Sequence, residues 1–324
     1  MRRLELRPRP SRAACVAVVA ALALLGPGAA VAAAPSTGVI AQKRGNAGCT
    51  RVASIDSPDV VAVSPDGHSV YIGSFHSSTL TILDRDATGA LHPKAGRDGC
   101  IVAGGSRAPC RRARIAEVSA IAVAPDGRSV YVATSRRVVV FDRDLATGVL
   151  REKAGTQGCV SDAGEGRCAQ GRGLGPASGV TVSPDGRSVY VASHDGVATF
   201  DRDPATGALT QKRGRAGCFT ETGSRGRCRN GTLVRAAAFV AVSADGRSLY
   251  AASDGIAVFD RDVASGDLRQ KRGRDGCVSD TGSRGACANG KALRDPGWVA
   301  ISADGRNVYA ASRLSNAVAV FDRR

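Results

Sequence analysis

Short apolar runs separated by polar turns repeat along most of this chain. In one unit, residues 179–183 are largely apolar and lead into Ser183-Pro184-Asp185-Gly186. Residues 187–193 form a second run, closed by His194-Asp195-Gly196. A third run, 197–201, ends in Phe200-Asp201-Arg202-Asp203. Pro204-Ala205-Thr206-Gly207 then turns the chain into a more polar stretch, 208–212. Runs of this length, rich in Val and aromatic residues and bounded by Gly, Pro and Asp, read as β-strands joined by tight turns. The Asp-Gly pair predicts a two-residue type I′ hairpin, because both residues tolerate positive φ. The unit is therefore a four-stranded antiparallel meander. Its inner strands are apolar on both faces, as in a sheet covered on two sides, and its polar fourth strand suits an outer edge.

The unit recurs. Asp66-Gly67, Asp126-Gly127, Asp185-Gly186, Asp245-Gly246 and Asp304-Gly305 follow one another at intervals of 59 or 60 residues. A fixed period of strand-type units predicts small sheets stacked radially as a β-propeller. All five tyrosines (Tyr71, Tyr131, Tyr190, Tyr250, Tyr309) fall four residues after the turn glycine. Phe141, Phe200, Phe259 and Phe321 share a second position, filled by Leu83 in the first unit. Residues repeated in every unit are packing residues, since a unique site needs broken symmetry. The prediction is an all-β fold, a β-propeller of five four-stranded blades in one domain over 35–324. The last copy holds only three strands, and residues 36–44 match the fourth strand at 205–213. An N-terminal outer strand pairing with the C-terminal three strands is therefore expected to close the ring. The alternative is an incomplete ring completed by oligomerisation.

The stretch Ser-Pro-Asp-Gly-Arg-Ser-Val-Tyr-Val-Ala-Ser at 183–193, followed by Val-x-x-Phe-Asp-Arg-Asp-x-Ala-Thr-Gly-x-Leu at 197–209, resembles the lactonase-type and YVTN-type β-propeller proteins. The resemblance covers 36–324. Members of that family usually have seven blades, whereas five are counted here. It implies a hydrolase acting on a cyclic ester, with no catalytic motif that maps residue by residue.

Charge and composition narrow the partners. The formal net charge is +16 and aromatic residues make up only 4% of the chain. The arginines recur with every repeat, which fits solvated loop charges. No stacked-aromatic platform accompanies them, so no nucleic-acid partner is expected. Residues 1–34 read as a signal peptide: arginines at 2, 3, 7, 9 and 12, an apolar run at 13–25, a Gly-Pro-Gly break and small residues after it. The run is too short for a stable membrane span once cleaved. A secreted or extracytoplasmic location is expected, and it argues against the phosphosugar lactone of cytosolic metabolism as substrate.

Ten cysteines fit that compartment. Cys15 leaves with the leader. Eight form near pairs in the interblade loops: Cys100 and Cys110, Cys159 and Cys168, Cys218 and Cys228, Cys277 and Cys287. Two cysteines per loop, with no nearby His, predict disulfides rather than a metal site. Cys49 has no partner in its loop. The Asp-Arg-Asp runs lack the further carboxylates of a calcium loop, so turn capping and Asp–Arg pairing are their expected roles and no metal or other cofactor is expected.

Candidate site residues lie where the repeat is broken. In a propeller, the turns between second and third strands share a face with the interblade loops. Those turns carry His76, Arg136, His194, Asp195, Asp254 and Arg313, and Trp298 begins an innermost strand on the same side. His76 or His194 could serve as a base with a nearby Asp, but solvated turn residues are the simpler reading. No Gly-x-Ser-x-Gly elbow, His-Glu-x-x-His motif or phosphate loop is present. The first expectation is a monomeric exported binding or scaffold module that holds a glycan, peptide or protein on its disulfide-stapled loop face. The second is a lactonase-like hydrolase.

Overall fold

The computed structural model describes residues 40–104, 109–135 and 137–324. The chain divides into residues 1–50 and 51–324. The expected leader at 1–34, and 36–39 of the expected closing strand, lie outside the described residues. In the first unit, a 3-10 turn spans Gly45–Gly48, and the Gly48 carbonyl accepts a hydrogen bond from Gln42 Nε2 at 2.9 Å.

Residues 51–324 form five sheets, here blades 1 to 5, as the repeat predicts. In blade 3, Ala177–Val182, Ser188–Ser193 and Gly196–Arg202 pair antiparallel in that order. The middle strand is buried at every position, so a neighbouring blade covers each face. The outer edge differs from the predicted single fourth strand. Leu209–Gln211 pairs with Phe200 to Arg202, and Cys218–Thr220 pairs with the other half of the same strand, Gly196 to Ala198. Arg229–Asn230 then adds in parallel to Cys218–Thr220. The cysteine-bearing loop thus supplies two strands of its own, and four of the sheets have six strands.

The Asp-Gly turn also differs from expectation. Gly186 N–H donates to the Ser183 carbonyl at 2.8 Å, and Ser183 N–H to the Ser188 carbonyl at 2.9 Å. Gly186 alone of the loop has positive φ, at 68°. Pro184 fixes a negative φ at the first central position, so the chain makes a Pro-Asp turn that ends in a left-handed glycine. Asp185 is there for its carboxylate: Oδ1 accepts from Ser183 Oγ at 2.5 Å and from Arg187 N–H at 3.0 Å.

Four apolar clusters lie between successive blades. Tyr71 and Phe141 share the first, Tyr131 and Phe200 the second, Tyr190 and Phe259 the third, and Tyr250 with Val299 and Val308 the fourth. A polar clasp closes each junction. Tyr131 Oη on blade 2 donates to the Gly207 carbonyl of blade 3 at 2.7 Å and accepts from Arg202 Nε at 2.7 Å. Arg202 also reaches back to Asp126 Oδ2 at 2.7 Å and to the Gly186 carbonyl of its own blade at 2.9 Å. Tyr71 with Arg143, and Tyr190 with Arg261, repeat the arrangement. Gly207 has φ of 71°, and a Cβ there would sit 2.0 Å from Ser129 Oγ, so only glycine lets the turn approach the neighbouring blade.

Among the described residues, no fifth cluster joins blade 5 to blade 1. Val61 and Val63 on blade 1 are 65% and 54% exposed, and Val318 and Val320 on blade 5 are 60% and 62% exposed. The fifth sheet has three strands, Pro296–Ile301, Asn307–Ser312 and Ala317–Asp322. Residues 40–44 form no strand. A groove of about 730 Å³ lined by Tyr250, Val258, Val308 and Phe321 runs beside the free edge of Ala317–Asp322. Preceding junctions have Leu150, Leu209 or Leu268 buried at the corresponding position.

Candidate functional site

The cysteine pairs expected from spacing are all formed: Cys100–Cys110, Cys159–Cys168, Cys218–Cys228 and Cys277–Cys287, with Cα–Cα distances of 4.7–4.8 Å. Cys49 is free and exposed. Each pair links a short strand beside the start of a blade's third strand to the return of the loop. Thr220, for example, lies opposite Gly196. The stapled loops therefore sit at the same end of the blade as the turns between second and third strands.

The candidate residues on that face are only partly brought together. His194 and Asp195 border a cleft of about 460 Å³ with Arg172, Glu221 and Arg235. His194 Nδ1 is 4.0 Å from Asp195 Oδ1, and both side chains are about half exposed. Asp195 Oδ2 accepts the Gly175 N–H at 2.9 Å, which makes it a loop anchor as well as a neighbour of the imidazole. His76 is exposed in its own turn, edge-on to Phe75 with ring centroids 5.5 Å apart. Asp254 is exposed in the following blade's turn. Arg313 is tied to Asp295, with Nε to Oδ2 at 2.8 Å. Trp298 packs on Phe239 of blade 4 with ring centroids 4.4 Å apart. Arg136 lies outside the described residues.

The Asp-Arg-Asp runs are spent on structure. Asp144 Oδ1 accepts from the N–H groups of Ala146 and Thr147 and from Thr147 Oγ1, which lowers its pKa, the Thr147 hydroxyl contributing most. Arg143 belongs to the clasp, and Asp142 pairs with Lys153.

A second cleft, not anticipated from the sequence, lies at the rim between blades 1 and 2. It measures about 550 Å³, with Ile101, Ala113, Phe141 and Leu150 among its apolar lining. Arg97, Arg112, Arg151 and Arg167 also line it. All four are exposed, and among the described residues none has a carboxylate within ion-pairing distance. Two further arginines are neutralised. Arg111 pairs with Asp98, holding that carboxyl below its ordinary value. Arg114 pairs with Glu152 and donates to the carbonyls of Arg167 at 3.1 Å and Gly155 at 3.0 Å. Arg114 thereby fixes the walls of the cleft while the other four guanidinium groups stay available.

The signal for this cleft was in the sequence. After its cysteine, the first stapled loop reads Arg111-Arg112-Ala113-Arg114, where the later loops read Ala169-Gln170-Gly171-Arg172, Arg229-Asn230-Gly231-Thr232 and Ala288-Asn289-Gly290-Lys291. Arg112 stands where the other repeats have an uncharged amide, and this break in symmetry is visible only when the loops are compared position by position.

No protein-family model and no curated protein matches the chain. Solved structures do. A periplasmic gluconolactonase of Pseudomonas aeruginosa is similar with a TM-score of 0.55 at 21% identity, over 82% of this chain and 66% of that one. A Lactobacillus plantarum protein is similar with a TM-score of 0.57 at 20% identity, over 82% of this chain and 67% of that one. The chain thus spans about two thirds of the length of these structures, and what it shares with them is the fold.

Proposed function

We propose that this protein is an exported binding module that holds an anionic ligand, of the class of acidic glycans, in the basic cleft beside its first stapled loop. The observation that carries the reading is the convergence of Arg97, Arg112, Arg151 and Arg167 on one cleft with no carboxylate in ion-pairing distance among the described residues. Guanidinium groups bind sulfate and carboxylate bidentately, and clustered positive charge raises the local concentration of anions. The apolar lining suits the carbon faces of a sugar ring. Disulfides support export, because they persist in oxidising compartments. They also hold the loop that carries Arg111 and Arg112 against its blade, so the site is organised before the ligand arrives.

Calorimetric titration of the protein with heparin, and with neutral dextran as control, tests this reading. Heparin is expected to bind and dextran not to. Arg112→Gln combined with Arg151→Thr, the residues of the next repeat, should weaken heparin binding at least about tenfold, the loss expected from two charge-assisted contacts. Unchanged binding in that variant would sink the proposal.

A lactonase reading is the second. It is favoured by the fold shared with the Pseudomonas aeruginosa gluconolactonase and by His194 beside Asp195 in a cleft. Hydrolysis of a lactone panel that is lost on His194→Ala would support it.

A further inference from the structure

The junction of blades 2 and 3 carries a cleft at the place of the basic one, and its chemistry is different. It measures about 530 Å³, and its lining includes Thr156, Gln157 and Gln170 of blade 2 and Leu209, Thr210 and Gln211 of blade 3. Position for position, Arg97, Arg111, Arg112 and Arg151 of the basic cleft become Thr156, Ala169, Gln170 and Thr210. The carboxylates that serve that cleft, Asp98 and Glu152, become Gln157 and Gln211. Six charged positions thus turn neutral together. At the junction of blades 3 and 4, three of the six are again arginine: Arg215, Arg229 and Arg269. The loss of charge is therefore local to one junction, and it breaks the repeat as clearly as the arginines do at the first.

The charges that remain are largely committed. Lys212 pairs with Asp201 at 2.5 Å and with Asp267 at 3.3 Å. Arg172 sends Nη2 to the carbonyls of Lys212 at 3.1 Å and Gly214 at 3.0 Å, the anchoring that Arg114 provides in the basic cleft. Arg213, exposed where the basic cleft has Ala154, is a charge gained. Gln211 braces the wall, its Nε2 donating to the Arg172 carbonyl at 2.7 Å and the Gly217 carbonyl at 2.9 Å. Thr156, Gln157, Gln170 and Thr210 are exposed, and among the described residues none of these side chains has a hydrogen-bond partner. Arg172 Nε, on the same lining, is buried and also unpartnered. The floor is apolar: Val160 and Leu209 are buried, and Ala169 replaces the long side chain of Arg111 beside them.

We propose that this cleft is a second binding site, for an uncharged sugar unit that carries an acetamido group. A side-chain amide presents a donor and an acceptor side by side, and an acetamido group offers the complementary pair. The threonine hydroxyls donate and accept, as sugar hydroxyls require. The apolar floor suits the carbon face of the ring. The two clefts adjoin: Gly155 lines the basic one and Thr156 this one, and Arg167 and Ala169 are divided between them in the same way. Together they suit one glycan chain in which acidic and N-acetylated units alternate. That pairing rests on the acidic-glycan reading of the basic cleft, whereas the second site stands on its own residues.

Titration with tri-N-acetylchitotriose, which is uncharged and carries an acetamido group on each unit, tests the proposal, with maltotriose as the hydroxyl-only control. Chitotriose is expected to bind and to shift the side-chain amide signals of Gln157 and Gln170 in proton–nitrogen correlation spectra. Maltotriose is expected to do neither. Gln157→Ala combined with Gln170→Ala should weaken chitotriose binding at least about tenfold and leave heparin binding unchanged. Arg112→Gln combined with Arg151→Thr should do the reverse. Heparin thus reports on the basic cleft and chitotriose on this one, so the two readings fail separately. Hyaluronan, which alternates uronate with N-acetylglucosamine, should lose affinity in both variants. Both altered glutamines are exposed, and thermal melts check that the folds are intact. Chitotriose that does not bind, that binds no better than maltotriose, or that keeps its affinity in the glutamine variant overturns the proposal. Hyaluronan affinity untouched by the glutamine variant overturns the pairing of the two clefts.

Discussion

Tyr131 Oη and Arg202 Nε, on adjacent blades, meet at 2.7 Å, and the same hydroxyl donates to the Gly207 carbonyl at 2.7 Å. The phenol is used as donor and acceptor at once, and it sits at the end of a fully buried ring. This is how a guanidinium whose side chain is 1% exposed can be tolerated between two apolar clusters. Arg202 also reaches Asp126, Ser129 and the Gly186 carbonyl. A buried charge always costs desolvation, and partners that meet its hydrogen-bonding capacity offset that cost.

Tyr131→Phe keeps the ring and removes the bridge. The Gly207 carbonyl and Arg202 Nε would each lose a partner in a buried site. The expected destabilisation is about 1–3 kcal/mol, read as a lower urea midpoint with an unchanged slope. An unshifted midpoint would show that the bridge is replaceable by water.

Gly207→Ala and Gly214→Ala separate strain from collision. Both glycines have positive φ, 71° and 56°. A Cβ at Gly214 meets nothing within 4 Å, whereas at Gly207 it lies 2.0 Å from Ser129 Oγ and 2.9 Å from Ser129 Cβ. Gly214→Ala is expected to cost about 1 kcal/mol from backbone conformation alone. Gly207→Ala must also push two blades apart, so its thermal midpoint should fall well below that of Gly214→Ala. Equal midpoints would contradict the close approach.

The blade repeat was legible because it rests on local physics: alternation, turn residues and a tyrosine at a constant offset. The disulfide pairs were legible because spacing leaves one plausible pairing per loop. The arrangement around Asp185 was not, because its role is fixed by a residue 76 positions away, Arg261, whose guanidinium is invisible to local pattern reading. The basic cleft was missed for a related reason. Arg97, Arg112, Arg151 and Arg167 are spread over 71 positions, and each looks like an ordinary loop charge until the fold brings them together. His194 and Asp195 lie side by side in their cleft because they are adjacent in sequence. The residues that complete their cleft, Arg172 and Arg235, come from other stretches.

Stability should fall at both ends of the pH scale for reasons tied to the clasps. Burial alone would raise the pKa of Asp66, but the Ser64 hydroxyl, the His68 N–H and Arg143 outweigh it and bring it to about 2. Asp245 reaches about 2 through Ser243, the Arg247 N–H and Arg323. Both values lie below the unfolded carboxyl value of about 3.9. Their contribution is therefore complete above about pH 4 and lost as pH falls toward 2. Tyr131 is shifted the other way, to about 12, by burial against the pull of Arg202. Its contribution is complete below the unfolded value of about 10 and lost as pH rises toward 12. Urea midpoints measured across both ranges check this, and Asp66→Asn should flatten the acid limb.

Reducing the disulfides should loosen the rim. Cys218 and Cys228 are fully buried and close a loop of sequence separation 10. The chain-entropy model gives about 2.5–3 kcal/mol for a loop of this size. Paired replacement of Cys218 and Cys228 by alanine should lower the thermal midpoint and raise hydrogen exchange in Cys218–Thr220 and Arg229–Asn230, the two strands the bridge ties together. The inner strands should keep their protection, because the apolar clusters hold them. Loss of protection throughout blade 3 would mean that the loop is needed to form the blade.

Arg85→Ala and Arg143→Ala occupy the same repeat position and should behave very differently in the protomer. Arg143 is buried, and its removal strips Tyr71 Oη of a donor at 2.7 Å and Asp66 of its ion pair at 2.8 Å. Breaking a buried pair by deleting one partner costs about 3–5 kcal/mol. Asp66 is 31% exposed on its side chain, so water can replace part of what it loses and the low end is expected. Arg85 is exposed, and its hydrogen bond among the described residues is to the Gly67 carbonyl of its own blade. Its removal should cost well under about 1 kcal/mol, as for an exposed contact. Chemical denaturation of the two variants measures the difference. Similar losses for the two variants would mean that Arg85 already has a blade to clasp within its own chain.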